Sequence, residues 1–187
     1  MKSILVPVCL LAALLAGGCA TTGGGTPAEQ RESILAMKNE VLSELYRQKP
    51  DVKQQIANAP GYAVFSNANV NVVLASFGGG YGVARDNRSG KYTYMKMGEV
   101  GVGLGLGVKD FRLVFVFHDA AAMRDFIDKG WSLGAQADAA AKASDKGAAA
   151  GGEITVDNMT IYQITESGLA LQATIKGTHF WKDEALN

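Results

Sequence analysis

An α+β domain is predicted, with an N-terminal helix packed on a twisted, largely antiparallel sheet open to barrel-like closure, and one inserted helix. Three features of the sequence carry this. A helical stripe of apolar residues comes first, at Ile34, Met37, Val41 and Leu45. Short period-two runs rich in β-branched and aromatic residues follow from Tyr62 onward, broken by Gly, Asn, Asp and Ser. One capped helix after Asp119 then interrupts the strands before a closing hairpin, and helices segregated from strands in this way suit an antiparallel sheet. With 187 residues the chain can bury one ordinary core.

The chain opens on an address. Lys2 and the apolar run from Ile4 to Ala16 have the form of a secretory signal, and the run is too short to span a bilayer permanently. Leu15-Ala16-Gly17-Gly18-Cys19 resembles the bacterial lipobox, with Ala16 where a large aliphatic residue is usual. The expected layout is a signal peptide over 1–18, a lipidated Cys19 with a flexible tether (TTGGGT) to 26, and one domain over 27–187. Several acyl chains on one cysteine hold a protein stably, where one chain does not. Ala20 follows the cysteine in place of the aspartate linked to inner-membrane retention. The expected address is therefore the periplasmic face of a bacterial outer membrane.

The first helix starts at Thr26-Pro27-Ala28-Glu29, where threonine caps, proline suits the first position and glutamate completes a capping box. Its stripe, with Leu42 beside it, should pack on the sheet, and its polar face mixes Glu32, Glu40 and Glu44 with Lys38 and Arg47. Pro50 ends it, and Asp51 to Asn58 adds one or two helical turns before Pro60-Gly61. Strands are expected at 62–66, 70–77, 81–84, 91–97, 100–108 and 111–117, with turn chemistry at Asp86-Asn87-Arg88-Ser89-Gly90. That turn begins like a calcium loop, but Met97 holds the place of the bidentate glutamate, so calcium is rejected. Asp119 should cap a helix that buries Met123, Phe126 and Ile127 and ends at Gly130. From Trp131 to Gly152 alanine content favours helix while Trp131, Leu133, Ala135 and Ala137 alternate like a strand. Residues 159–165 and 169–175 close the chain as a hairpin.

Gly101, Gly103, Gly105 and Gly107 share one face of an extended run whose other face is Val100, Val102, Leu104, Leu106 and Val108. A bare face calls for close approach by a helix, a second layer or a ligand, with packing the favoured reading. The spacing fits neither GxGxxG nor GxxxxGK[ST], so a nucleotide loop is disfavoured.

Equal counts of 18 basic and 18 acidic residues leave no global field for nucleic acid. Locally, Arg85, Arg88, Lys91, Lys96, Lys109 and Arg112 outweigh Asp86, Glu99 and Asp110. Within 91–97 the alternation separates Lys91, Thr93, Met95 and Met97 from Tyr92, Tyr94 and Lys96. A contact surface is therefore expected at loop tips, with Arg85 and Arg88 in one turn and Lys109 in another. Cys9 and Cys19 give no disulfide framework, and His118 and His179 lack metal-ligand spacing, so no metal and no cofactor is expected. No GxSxG motif and no local histidine–acid pairing supports catalysis.

Several motifs together resemble the SYLF domain family over roughly 33–182. They are Ala59-Pro60-Gly61-Tyr62-Ala63-Val64-Phe65, Phe77-Gly78-Gly79-Gly80-Tyr81-Gly82, Gly101 to Gly107 followed by Phe111 to Phe117, Leu133-Gly134-Ala135 and Ser167-Gly168-Leu169. The resemblance implies strand over helix for 131–143. It also implies a non-enzymatic membrane-lipid module, which in eukaryotes binds phosphoinositides and in yeast also actin. A bacterial envelope offers no actin, so the implied partner is an anionic or phosphoinositide-like lipid. Arg85, Arg88, Lys91, Lys109 and Arg112 are its candidate contacts. The competing expectation is a structural or protein-interaction module of the envelope with no small-molecule ligand and a partner the sequence does not name.

Overall fold

The computed structural model describes residues 25–67, 79–99, 111–132, 153–165, 168–169 and 178–187. Its first helix, α1 (Pro27–Gln48), starts as read: the Thr26 hydroxyl accepts the Glu29 N–H at 3.3 Å and the Glu29 carboxylate accepts the Thr26 N–H at 2.6 Å. Ile34, Val41, Leu42 and Leu45 are buried along one side. Lys38 departs from the sequence reading, because it is only 6% exposed rather than on the solvated face. Its ammonium donates to the Tyr92 hydroxyl at 3.1 Å and lies 5.0 Å from the centre of that ring. A phenol and its π face can receive a cation that water no longer solvates. The short helix α2 (Val52–Asn58) buries Val52 and Ile56 and leads into the sheet.

The strands are β1 (Gly61–Ser66), β2 (Gly80–Asp86), β3 (Tyr92–Glu99), β4 (Phe111–Phe117), β5 (Trp131–Ser132), β6 (Glu153–Val156), β7 (Met159–Thr165), β8 (Gly168–Leu169) and β9 (Thr178–Lys182), with helix α3 (Ala120–Lys129) inserted after β4. They form one antiparallel sheet in the order β5-β9-β3-β2-β1-β4-β7-β6, and β8 pairs with β7. Trp131–Ser132 is strand, against the alanine-based alternative. Strands β6 and β9 escaped the sequence reading. The expected strands at 70–77 and 100–108, the four alternating glycines and residues 133–152 lie outside the described residues.

Ring contacts show how far the sheet curls. Four inter-strand steps separate β9 from β4, which in a flat sheet is roughly 19 Å. Yet the Phe180 and Phe115 rings are 5.1 Å apart, and Phe180 and Phe65 are 4.8 Å apart. Only a half-barrel brings these side chains together. Phe126 of α3 sits in the concavity, with ring contacts to Phe65, Phe115, Phe117, Trp131 and Phe180. Glycine on the concave side of β2 makes room: a Cβ on Gly82 would lie 2.3 Å from the Phe65 ring and 2.4 Å from the Val64 carbonyl oxygen. The convex side is covered by α1 and α2, which pack on Tyr62, Val64, Val114, Val116, Tyr162 and Ile164.

Candidate functional site

At one end of the half-barrel the β2–β3 turn faces the first turns of α3. The β2–β3 turn is built on Asp86, whose Oδ1 accepts the N–H of Arg88 at 2.8 Å and of Ser89 at 3.0 Å. Those backbone donors, Ser89 first, hold the Asp86 carboxyl below its ordinary range. Asn87 ties the turn to the body: its amide donates to the carbonyls of Ile56 at 2.7 Å and Ala59 at 3.0 Å, and its N–H to Pro60 at 2.9 Å. The turn expected at 86–90 is therefore a fixed one, held by an aspartate and an asparagine side chain.

Across from it, Asp119 caps α3 by accepting the N–H of Ala121 at 2.8 Å and of Ala122 at 2.7 Å. Its other oxygen accepts from the Asn158 amide at 2.7 Å. The Ala122 N–H and the Asn158 amide lower the Asp119 carboxyl below its ordinary range. Asp157 and Asn158 both take positive φ, 49° and 58°, in the two-residue β6–β7 turn, so that hairpin locks the base of α3. At its far end α3 closes on Gly130 with φ 73°, as read.

Between these two fixed banks lies an open cleft of about 370 Å³, bordered by Pro60, Asp86, Arg88, Ser89, Met123 and Arg124 beside the start of α3. Arg88 and Arg124 are exposed, and neither makes an ion pair among the described residues. Asp86 and Asp119 spend their oxygens on backbone and amide donors. Arg88 and Arg124 both line the cleft, each also helping to lower a neighbouring carboxyl, Asp86 and Asp119 respectively, after the hydrogen bonds named above, and guanidinium is suited to bidentate recognition of phosphate or carboxylate.

The basic residues singled out in the sequence do not form one surface. Arg88 and exposed Lys91 belong to the β2–β3 turn. Arg85 does not: it lies in β2 opposite Tyr62 and Tyr92, half-buried on the convex side, 5.4 Å from the Tyr92 ring centre. A hydrogen bond with Tyr62 pushes its already high pKa up further. Arg112 lies within β4, opposite Ser66 and Ile164, close enough to add to the lowering of Glu44 of α1 that Gln48, by a side-chain hydrogen bond, and Arg47 bring about. Lys96 pairs with Asp183 at 3.0 Å. Cys19 and Lys109 lie outside the described residues. Arg124 was missed, because it sits on an ordinary helix surface and only the fold brings it to Arg88.

Elsewhere, His118 bonds Thr160 at 2.8 Å, and His179 bonds Ser132 at 2.6 Å while stacking on Trp181. Among the described residues no group of three His, Cys, Asp or Glu could hold a metal. No described helix is long and apolar enough to cross a membrane. The concave side, where a barrel would hold an apolar ligand, is occupied by packed side chains of Phe65, Phe115, Phe117, Phe126 and Phe180.

Comparison with known proteins adds two findings. Residues 98–187 match the family described as Ysc84, Las17-binding protein actin regulator. The chain is also 35% identical, over 167 residues, to Beta cell expansion factor A of Aeromonas veronii. The alignment takes in 86% of this chain and 60% of the relative's length, so the chain spans less than two thirds of that protein. The family match begins at the end of β3, yet β1 and β2 sit in the middle of the sheet between matched strands.

Proposed function

We propose a non-enzymatic, lipid-anchored bacterial envelope protein whose domain docks on anionic membrane lipid, a reading supported by the match of residues 98–187 to the Ysc84 family and by the likeness to the Aeromonas veronii protein. The observation that carries the reading is the pair of exposed cations, Arg88 and Lys91, on a turn fixed by Asp86 and Asn87 at one end of a half-barrel whose interior is already filled. A lipid then meets the domain from outside, through its headgroup. Each basic side chain near an anionic surface contributes about 1 kcal/mol, screened within a Debye length. Lys109 lies outside the described residues, and Arg85 and Arg112 lie within the sheet away from this turn, so the proposal rests on Arg88 and Lys91.

Vesicle flotation with residues 20–187, which contain every described element, tests the docking. The chain is expected to float with phosphatidylglycerol vesicles at low salt and to stay behind with phosphatidylcholine alone. Arg88→Glu with Lys91→Glu should abolish flotation while circular dichroism is unchanged. The family description names a protein-binding activity, so docking on an envelope protein is the second reading; failure of the unaltered chain to bind any anionic vesicle favours it. The anchor is proposed at Cys19, with the protein on the periplasmic face of the outer membrane. Palmitate labelling should mark the unaltered protein and be lost in Cys19→Ser. Label retained in that variant removes the anchor from Cys19.

A further inference from the structure

We infer that the cleft between the β2–β3 turn and α3 is a phosphate-binding site in which Arg88 and Arg124 grip one phosphate group from two sides. The inference rests on the docking proposal for its lipid source, and goes beyond it by naming the pocket, a second arginine and the ligand chemistry.

Four observations converge on the cleft. It has volume, about 370 Å³, at a place where the described residues leave open space between two rigid elements. The two cations on its walls come from different elements and have no carboxylate partner within ion-pair distance among the described residues. Each wall is fixed by hydrogen bonds that do not use the arginine side chain: Asp86 and Asn87 hold the turn, and Asp119 with Asn158 holds the helix start. Met123, buried and apolar, also lines the cleft, and Asp86, the acidic lining residue, already accepts two backbone N–H groups. Ser89 adds a hydroxyl at the rim, although its oxygen also accepts the Lys91 N–H at 3.2 Å.

Donor geometry argues for phosphate over carboxylate. The neighbouring carboxylates Asp86 and Asp119 offset much of the positive field, so long-range attraction is weak and the grip depends on short, directed bonds. Two forks approaching from different elements need oxygens in different directions; a carboxylate's two oxygens lie in one plane, whereas a phosphate monoester presents three terminal oxygens arranged tetrahedrally. That group could reach the cleft as a lipid headgroup or as a free phosphorylated molecule.

Amide and arginine side-chain signals of residues 20–187 should be followed by NMR during titration with inorganic phosphate, then with glycerol 3-phosphate. Flotation should be run in parallel on phosphatidylcholine vesicles doped with phosphatidic acid, a monoester, or with phosphatidylglycerol, a diester. The expected result is that Arg88, Ser89 and Arg124 signals shift together. Arg124→Gln, an exposed helix position, should weaken phosphate binding about tenfold or more, and Arg124→Lys should restore only part of it. A preference for phosphatidic acid that Arg124→Gln removes identifies the lipid source. Phosphate-induced shifts without flotation on any vesicle uphold the cleft while overturning membrane docking. Flotation that is indifferent to Arg124→Gln, with no phosphate-induced shifts at Arg88 and Arg124, overturns the cleft and leaves docking intact.

Discussion

On the concave side of the sheet, Phe65, Phe115, Phe117, Phe126 and Phe180 meet edge to face or tilted, with no charged side chain in the cluster. On the convex side, cations instead lie on tyrosines: Arg31 and Lys38 of α1 over Tyr94 and Tyr92, Arg85 of β2 over Tyr92, and Lys49, just past α1, over Tyr162. Both sides exclude water, by different means. The inside of a half-barrel has no rim to which a charged head could reach, so shape alone must fill it. A helix lying on a convex surface keeps solvent along both flanks. Long cationic side chains can therefore bury their stems there and rest their heads on rings near water. The concave side should consequently be sensitive to volume, and the convex side tolerant of lost charge.

The harshest test removes the ring that plugs the concavity. Phe126→Ala should cost about 3–5 kcal/mol, since five neighbouring rings would face the void. Chemical denaturation measures this, and a loss below about 1 kcal/mol would mean that the half-barrel collapses around the gap. A milder strain comes from adding one carbon. At Gly82 the new Cβ would crowd a ring at 2.3 Å and a backbone oxygen at 2.4 Å, so Gly82→Ala should cost about 1–3 kcal/mol. A thermal midpoint equal to that of the unaltered protein would show that β1 and β2 separate freely. The gentlest change is Lys38→Met on the other side. It loses a 3.1 Å hydrogen bond and a cation–ring contact but removes the charge from a lysine that is only 6% exposed. Stability should move by less than about 1 kcal/mol. A loss as large as that for Phe126→Ala would erase the distinction between the two faces.

Part of the candidate site was legible in the chain. The run from Asp86 to Gly90 announces its turn because an aspartate bonding the N–H groups two and three residues on is a local event. Arg88 was placed correctly on that turn. Arg85 was assigned to it as well, but β2 runs on to Asp86, so Arg85 faces α1 from inside the sheet. Arg124 carried no signal, since an arginine on a capped helix has the look of any solvated position. Lys38 misled for a related reason: helical spacing assigns a face, and which part of that face meets tyrosines depends on where the helix lies across the sheet.

The sequence by itself determined the ends and faces of the elements. Thr26 with Glu29, Asp119 and Gly130 set helix limits, and alternation sent Thr93, Met95 and Met97 inward and Tyr92 and Tyr94 outward. These follow from hydrogen bonds and periodicities that span no more than a few residues. Only the tertiary structure decided that β9, last in the chain, pairs with β3, and that the sheet curls until Phe180 touches Phe115. It also decided that the α3 start faces the β2–β3 turn. Strand order and curl are chosen by contacts between residues far apart in the chain. Their energy depends on how whole faces fit together, and no single stretch of residues encodes that fit.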